Sequence, residues 1–227
     1  MAALPAHRGV SLAPSRHGVE WLTSPDLMPY EEAVADMERR AAAIARGEAP
    51  DCVWLLEHPP VYTAGTSAAP GELLAPNRFP VFASGRGGRF TYHGPGQRVI
   101  YVMFDLASRG RDVKVFVSFL EDWLIATLAR LGVEGARQPG QIGVFVGGAK
   151  IASIGVRVRR WVTLHGASLN VAPELEHFSG IVPCGLADTK VTSLAALGAE
   201  TDMAKVDEAL RAAFDELLRE ALSATSF

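Results

Sequence analysis

The sequence has little cysteine, since Cys52 and Cys184 are the two in a chain of 227 residues. Two cysteines are too few for the disulfide framework of a small secreted domain, and we expect a reduced, cytoplasmic setting. No apolar run is long enough to span a bilayer, so the sequence does not predict a membrane protein. Residues 1–17 lack the apolar core of a secretory signal. We expect them to form a flexible N-terminal arm, with a short organelle-targeting remnant as the alternative.

The chain also lacks any basic block with interleaved aromatic residues, and its formal net charge is −3. This balance argues against nucleic acid as the main partner. No internal repeat and no domain linker interrupt the sequence, of which 48% is hydrophobic. Such a chain buries a sizeable core, so we predict one folded domain over 18–227, or one domain with a small appended lobe.

Apolar spacing predicts helices and strands in separate parts of the chain. The 3.6-residue period predicts helices over 30–46, 113–131 and 203–218. Short apolar runs predict strands at 52–56, 79–83, 99–104, 142–146, 151–158 and 161–171, with a tight turn at Arg159 and Arg160. Helices do not alternate with every strand, so the predicted fold class is α+β, a single domain with a mixed β-sheet flanked by helices.

Two segments are rich in glycine or proline and do not follow either period. Residues 63–80 predict a long loop of the kind that often serves as a lid or a binding loop. Residues 85–97 hold closely spaced glycines, which let backbone approach a ligand, beside Arg86, Arg89 and His93. Their spacing matches neither a P-loop nor a dinucleotide fingerprint. A ligand-contacting loop and a plain tight turn before the next strand both stay open.

Lys150 and Cys184 flank the predicted β-hairpin formed by 151–158 and 161–171. Cys184 lies between Pro183 and Gly185, a setting that is unlike a buried apolar strand. A thiol placed there is accessible, and a nearby ammonium would lower its pKa and populate the nucleophilic thiolate. The alternative is that Cys184 is a small apolar filler and Lys150 a solvated surface charge. Cys52 lies in a continuous apolar run and is expected in the core.

Five short motifs occur along the chain. They are LEHPPVYTAG at 56–65, RGG followed by TYHGPGQ within 86–97, KIASIG at 150–155, HG at 165–166, and PCG followed by VTSL within 183–194. Together they resemble the lipoyl(octanoyl) transferases of the biotin/lipoate protein ligase superfamily, over about Val19 to Leu222. One departure is Ala149, where an acidic or polar residue is common in that family.

The resemblance implies a biotin/lipoate protein ligase-like catalytic domain over 18–227, and an acyltransferase reaction. Octanoyl, or lipoyl, would pass from acyl carrier protein to one lysine of a lipoyl domain. The implied acceptors are the lipoyl domains of 2-oxoacid dehydrogenase complexes and the glycine cleavage H protein. The resemblance implies no cofactor, no ATP and no metal, and no nucleic-acid or membrane partner.

The resemblance also implies roles for particular residues. Cys184 would carry the acyl group as a thioester, and Lys150 would activate the thiol and move protons. The residues implied to bind substrate along the acyl pocket are Arg86, Gly87, Gly88, Arg89, Phe90, Thr91, Tyr92, His93, Ser153, Ile154, Gly155, Gly166, Ala167 and Ser168.

Two other functions stay open on the sequence. An ATP-dependent lipoate or biotin ligase on the same fold would use Lys150 to hold an acyl-adenylate and would need no cysteine. A catalytically silent module that binds lipoyl domains would need neither residue. A requirement for ATP distinguishes the first, and a single-turnover acylation assay distinguishes the second.

Overall fold

The computed structural model describes residues 18–182 and 190–224. The predicted N-terminal arm and Cys184 lie outside the described residues. In the described ranges the α-helices are α1 (Tyr30–Ala45), α2 (Val113–Arg130) and α3 (Met203–Ala224). The strands there are β1 (Val19–Leu27), β2 (Asp51–Glu57), β3 (Val61–Ala64), β4 (Val81–Ala83), β5 (Phe90–His93), β6 (Gln97–Met103), β7 (Ala136–Gln138), β8 (Gln141–Val146), β9 (Ala149–Arg159) and β10 (Val162–Asn170).

The strands form two sheets. The larger sheet has the order β1-β2-β6-β10-β9-β8-β7, and the smaller has the order β4-β3-β5. In the larger sheet β1 and β2 are parallel, with α1 between them in the chain, and the other neighbours are antiparallel. The sheet is therefore mixed and flanked by helices, so the predicted α+β fold class is confirmed.

Helix α1 covers one face of the larger sheet. Glu31 and Glu32 lie in its first turn, where negative charge is favourable for the helix dipole. Its buried stripe includes Met37, Ala41 and Ile44, which pack in one cluster with alternate residues of β2, β6 and β10. The spacing of these apolar residues is the reason that α1 forms and the reason that it lies on the sheet.

Helices α2 and α3 cover the opposite face. The Asp112 side chain caps α2 by accepting hydrogen bonds from the backbone N–H groups of Lys114 and Val115. Trp123 of α2 and Phe214 of α3 pack edge to face at 5.1 Å between ring centroids, in the largest apolar cluster of the described residues. No helix in the described part of the chain is both long and apolar enough to cross a bilayer.

The structure corrects parts of the predicted loops. The loop predicted over 63–80 begins inside β3 and contains a turn of 3-10 helix at Pro70–Glu72. The glycine-rich stretch contains all of β5, whose Phe90 and Tyr92 are buried on one side in alternation with Thr91 and His93. Glycines on both sides of these four residues concealed the period-2 pattern in the sequence.

The other differences lie at ends and edges. The β9–β10 hairpin is confirmed, but its turn is Arg160 and Trp161, both with positive φ, and not Arg159 and Arg160. Two positive φ values match the right-handed twist of a two-residue hairpin. Helix α3 continues past the predicted end at 218. Strands β1, β3 and β7 were not predicted either. Strands β1 and β7 lie at the edges of the larger sheet, where the apolar pattern is weak, and β3 has four residues, too few for a clear pattern.

Candidate functional site

A cavity of about 600 Å³ lies among the two sheets and the start of α1. Its wall includes Val99 and Tyr101 of β6, His93 of β5, and residues of β9 and β10. This volume is in the range of small-molecule sites. The cavity therefore has room for an acyl chain and for part of whatever carries that chain.

The glycine-rich segment forms one wall, and the buried Arg86 holds it in place. The guanidinium of Arg86 donates hydrogen bonds to the carbonyl and the hydroxyl of Thr63, at 2.8 and 2.7 Å, and to the carbonyls of Gly87 and Arg89, both at 3.0 Å. The N–H of Gly87 donates to the carbonyl of Val156 at 2.9 Å, which fastens the segment to β9. The buried charge of Arg86 therefore stabilises the conformation of this loop.

Gly155 and Gly166 lie opposite each other on β9 and β10 and form another part of the wall. A Cβ on Gly155 would lie 2.9 Å from Cδ of Arg86, and one on Gly166 would lie 2.3 Å from the carbonyl oxygen of Ile100. Gly166 also has a φ of +155°. Both positions therefore require glycine for the close approach of backbone that the cavity wall needs.

Lys150 lies on the cavity wall at the start of β9, and it is 4% exposed. Its ammonium donates a 2.9 Å hydrogen bond to the carbonyl of Ile142 and lies 5.0 Å from the centre of the Phe145 ring. The backbone hydrogen bond and the ring face hold the ammonium in one direction. A buried ammonium with a fixed direction is suited to steering charge and protons at a reacting group.

Residues on both sides of 183–189 are held by backbone hydrogen bonds, on one side to the 3-10 turn at Pro70–Glu72 and on the other to Lys150. The N–H of Val182 donates to the carbonyl of Glu72 at 2.8 Å. The N–H of Lys150 donates to the carbonyl of Lys190 at 2.8 Å, and its carbonyl accepts from Thr192 at 2.9 Å. Lys190 and Thr192, which follow the Pro-Cys-Gly motif in the chain, therefore lie beside Lys150, and Cys184 itself lies outside the described residues.

Two histidines and one tyrosine of the cavity wall favour their neutral forms. Burial, followed by the charges of neighbouring groups, lowers the pKa of His93 to about 3 and that of His165 to about 3. Burial likewise raises the pKa of Tyr101 well above its usual value. Behind Tyr101, His58 is fully buried, and its ring nitrogens bond with the carbonyl of Met28 at 2.7 Å and the hydroxyl of Tyr101 at 3.0 Å. At neutral pH these side chains are polar but uncharged, as an apolar acyl chain requires.

The structure brings most of the predicted site residues together. Lys150 and thirteen of the fourteen predicted pocket residues line the cavity, namely Arg86, Gly87, Gly88, Arg89, Phe90, Thr91, His93, Ser153, Ile154, Gly155, Gly166, Ala167 and Ser168. Tyr92 does not line it. Tyr92 packs instead in the smaller sheet's own apolar cluster, where its hydroxyl lies 2.8 Å from Nδ1 of His177. Phe90, on the same side of β5, belongs to that cluster too but also reaches the cavity. Substrate binding by these residues stays a prediction.

Sequence reasoning missed several wall residues. Tyr30, Tyr101 and His165 line the cavity but were not predicted to do so. Tyr30 and Tyr101 were assigned to scaffold elements, and only the packing of α1 on β6 brings them to the site. His165 precedes Gly166 in one of the motifs, so a signal for it was present in the sequence.

Comparison with known proteins gives consistent matches. A model of the lipoyl protein ligase A/B catalytic domain matches residues 29–215. An octanoyltransferase of Rhizorhabdus wittichii is 61% identical over 204 residues, which cover 88% of this chain and 92% of that protein. An octanoyltransferase of Maricaulis maris is 59% identical over 205 residues, which cover 87% and 91%.

The fold also resembles solved structures. One is the bipartite lipoate protein ligase from Thermoplasma acidophilum, with a TM-score of 0.63 at 18% identity, covering 89% of this chain and 84% of that one. At that identity the likeness concerns the fold alone.

Proposed function

Because this chain belongs to the lipoyl protein ligase A/B catalytic domain family, and within it to the octanoyltransferases, we propose that it transfers octanoyl from acyl carrier protein to a lysine of a lipoyl domain. The acceptors are the lipoyl domains of 2-oxoacid dehydrogenase complexes and the glycine cleavage H protein. The reaction takes place in the cytoplasm, where a reducing environment keeps a thiol nucleophile active.

In the first step the Cys184 thiolate attacks the thioester carbonyl of octanoyl-acyl carrier protein. A new carbon–sulfur bond forms, the bond to the carrier breaks, and the carrier leaves as a thiol after it takes a proton from the Lys150 ammonium. One thioester replaces another of similar energy, so no nucleotide is needed to drive the step.

In the second step the ε-amine of the acceptor lysine attacks the acyl group on Cys184. An amide forms, Cys184 leaves as a thiolate, and the proton lost by the amine returns to Lys150. Because an amide is more stable than a thioester, this step makes the transfer irreversible.

The observation that carries the proposal is the place of Lys150. Its ammonium lies on the cavity wall, and its backbone is hydrogen-bonded to Lys190 and Thr192, just beyond the Pro-Cys-Gly segment. The neutral side chains of His93, His165 and Tyr101 support an apolar acyl ligand. The bonds of Arg86 to Thr63 and to the carbonyls of its own loop give no support for a phosphate site.

The test is the requirement for ATP. The purified protein is mixed with octanoyl-acyl carrier protein and a lipoyl domain, and the mass of the lipoyl domain is followed with and without ATP and magnesium. We expect one octanoyl on the lipoyl domain without ATP. Modification that requires free octanoate and ATP would instead show a ligase and overturn the proposal.

A further inference from the structure

Two charged side chains, Lys150 and Glu121, form hydrogen bonds to the same peptide group of the backbone. The C=O of Ile142 and the N–H of Gly143 are the two ends of one planar peptide bond. The carbonyl accepts a hydrogen bond from the Lys150 ammonium at 2.9 Å, and the N–H donates to the carboxylate of Glu121 at 3.1 Å. A carboxylate and an ammonium are thus bound to opposite ends of the same dipole.

Glu121 is itself fixed from several sides. It lies on α2, where it is 7% exposed. Its second carboxylate oxygen accepts from Nε of Arg137 at 2.7 Å, and Arg137 also donates to the carbonyl of Ser118 at 2.8 Å. The neighbouring Asp122 forms a further ion pair with Arg137 at 2.8 Å. The carboxylate therefore has a set direction, which it imposes on the Ile142–Gly143 peptide.

The backbone at this peptide is closely packed against its neighbours. Gly143 has a φ of +124°, which favours glycine. A Cβ there would lie 2.6 Å from the carbonyl oxygen of Ala152 and 3.3 Å from Cε of Lys150. The lysine side chain thus packs directly on the peptide that Glu121 orients.

We infer that Glu121 is a positioning residue for the Lys150 ammonium and acts through the peptide between Ile142 and Gly143. Because the peptide is planar, the direction of its N–H sets the direction of its C=O. A carboxylate on the N–H also polarises the peptide, which strengthens the hydrogen bond that the carbonyl accepts. The inference rests on the proposed function, in which Lys150 activates Cys184 and moves protons.

The first experiment separates turnover from binding. Glu121→Gln keeps an oxygen for Gly143 but removes the charge, and Glu121→Ala removes both. We expect kcat for octanoyl transfer to fall by about 10- to 100-fold in Glu121→Ala and by less in Glu121→Gln, with little change in KM for octanoyl-acyl carrier protein. The matched control is Asp207→Asn, which breaks the part-buried ion pair of Arg98 with α3. If the Glu121 variants lose only as much thermal stability and activity as Asp207→Asn, the inference is wrong.

The second experiment tests whether the effect passes through Lys150. The rate of Cys184 alkylation by iodoacetamide near neutral pH is measured in a Cys52→Ala background, where Cys184 is the one remaining thiol. As a single substitution, Glu121→Gln should slow alkylation. In a protein that already carries Lys150→Met, adding Glu121→Gln should not slow alkylation any further. If the two substitutions instead reduced the alkylation rate independently, so that their fold-reductions multiplied in the double variant, the inference would be wrong. Alkylation of Lys150→Met at the rate of the unmodified protein would contradict the proposed function instead, so the two failures are distinguishable.

Discussion

The two faces of the seven-stranded sheet are built from the same strands and differ in chemistry. On the α2–α3 face, β6 contributes Ile100 and Val102 to an apolar cluster rich in aromatic rings. On the α1 face, the alternate residues Val99 and Tyr101 line the cavity. The first face is packed mainly with apolar groups, with the Arg98–Asp207 ion pair among them, and the second contains buried polar side chains around open space. We expect stability to depend mainly on the first face and activity on the second.

The largest expected effect is on activity, from a change on the cavity face. Lys150→Met removes a charge that would act on the thiol and on proton transfer, so octanoyl transfer should fall by about 10²- to 10⁴-fold. The pH for half-maximal alkylation of Cys184 should rise, because a neighbouring ammonium lowers a thiol pKa. Transfer is followed by mass spectrometry of the lipoyl domain.

Lys150→Arg separates the two roles of the lysine. Arginine keeps the charge but cannot release its proton at accessible pH. It should restore part of the thiol's reactivity and leave transfer poor. A variant that transfers as fast as the unmodified protein would limit Lys150 to an electrostatic role.

The next effect is on stability, from a change on the opposite face. Phe214 is 1% exposed and contacts the rings of Trp21, Phe104, Phe119 and Trp123. Phe214→Ala should lower the free energy of unfolding by about 3–5 kcal/mol, because it leaves a cavity in this cluster. Activity per folded molecule should change little. Leu74→Ala, at a position that is 60% exposed, is the control and should change stability by less than about 0.5 kcal/mol.

An effect of at most similar size should appear in the stability of the protein between pH 7 and pH 5. The folded pKa values of His93 and His165, both about 3, lie below the value of ~6.5 that histidine has in an unfolded chain. The unfolded chain therefore binds protons first as pH falls. Neither histidine reduces stability above about pH 6.5. As pH falls from there towards 3, each lowers the free energy of unfolding by up to about 1.4 kcal/mol per pH unit.

Chemical denaturation at pH 7 and pH 5 measures this loss. His93→Gln with His165→Asn should flatten the difference between the two pH values, and asparagine tolerates the φ of +62° at position 165. If the double variant lost as much stability between pH 7 and pH 5 as the unmodified protein, these histidines would not account for the pH dependence.

The smallest effect concerns the second cysteine. Cys52 is fully buried on the α1 face, and burial raises the pKa of its thiol to about 11. Cys52→Ala should cost about 1 kcal/mol of stability and leave transfer nearly intact. Rapid alkylation of Cys52 in the folded protein, or loss of transfer in the variant, would contradict a purely structural role.

The sequence predicted most of the helices and central strands and much of the site. The stripe of Met37, Ala41 and Ile44 and the long apolar runs of β9 and β10 had periods strong enough to specify their elements. The edge strands β1 and β7 had no such pattern. The glycine motifs that concealed β5 were also the motifs that identified the cavity wall.

What the sequence did not reveal depends on tertiary contacts. Tyr30 and Tyr101 are far apart in the chain. The apolar pattern of a helix accounts for Tyr30 and that of a strand for Tyr101, so neither residue indicated a place in the site. Glu121 lies on a helix predicted only as scaffold, and its contact with Gly143 depends on how the β7–β8 hairpin packs against α2. The direction of Tyr92, away from the cavity, depended on the presence of β5, which the sequence did not predict.

The most direct test of the central claim is the intact mass of the protein after mixing with octanoyl-acyl carrier protein and no acceptor. We predict a gain of one octanoyl group, located by peptide mapping at Cys184 and discharged when a lipoyl domain is added. Cys184→Ala and Cys184→Ser should show no stable adduct under the same conditions, and Cys52→Ala should acylate like the unmodified protein. A stable octanoyl adduct on Cys184→Ala, or transfer to the lipoyl domain by that variant at an undiminished rate, would contradict the account.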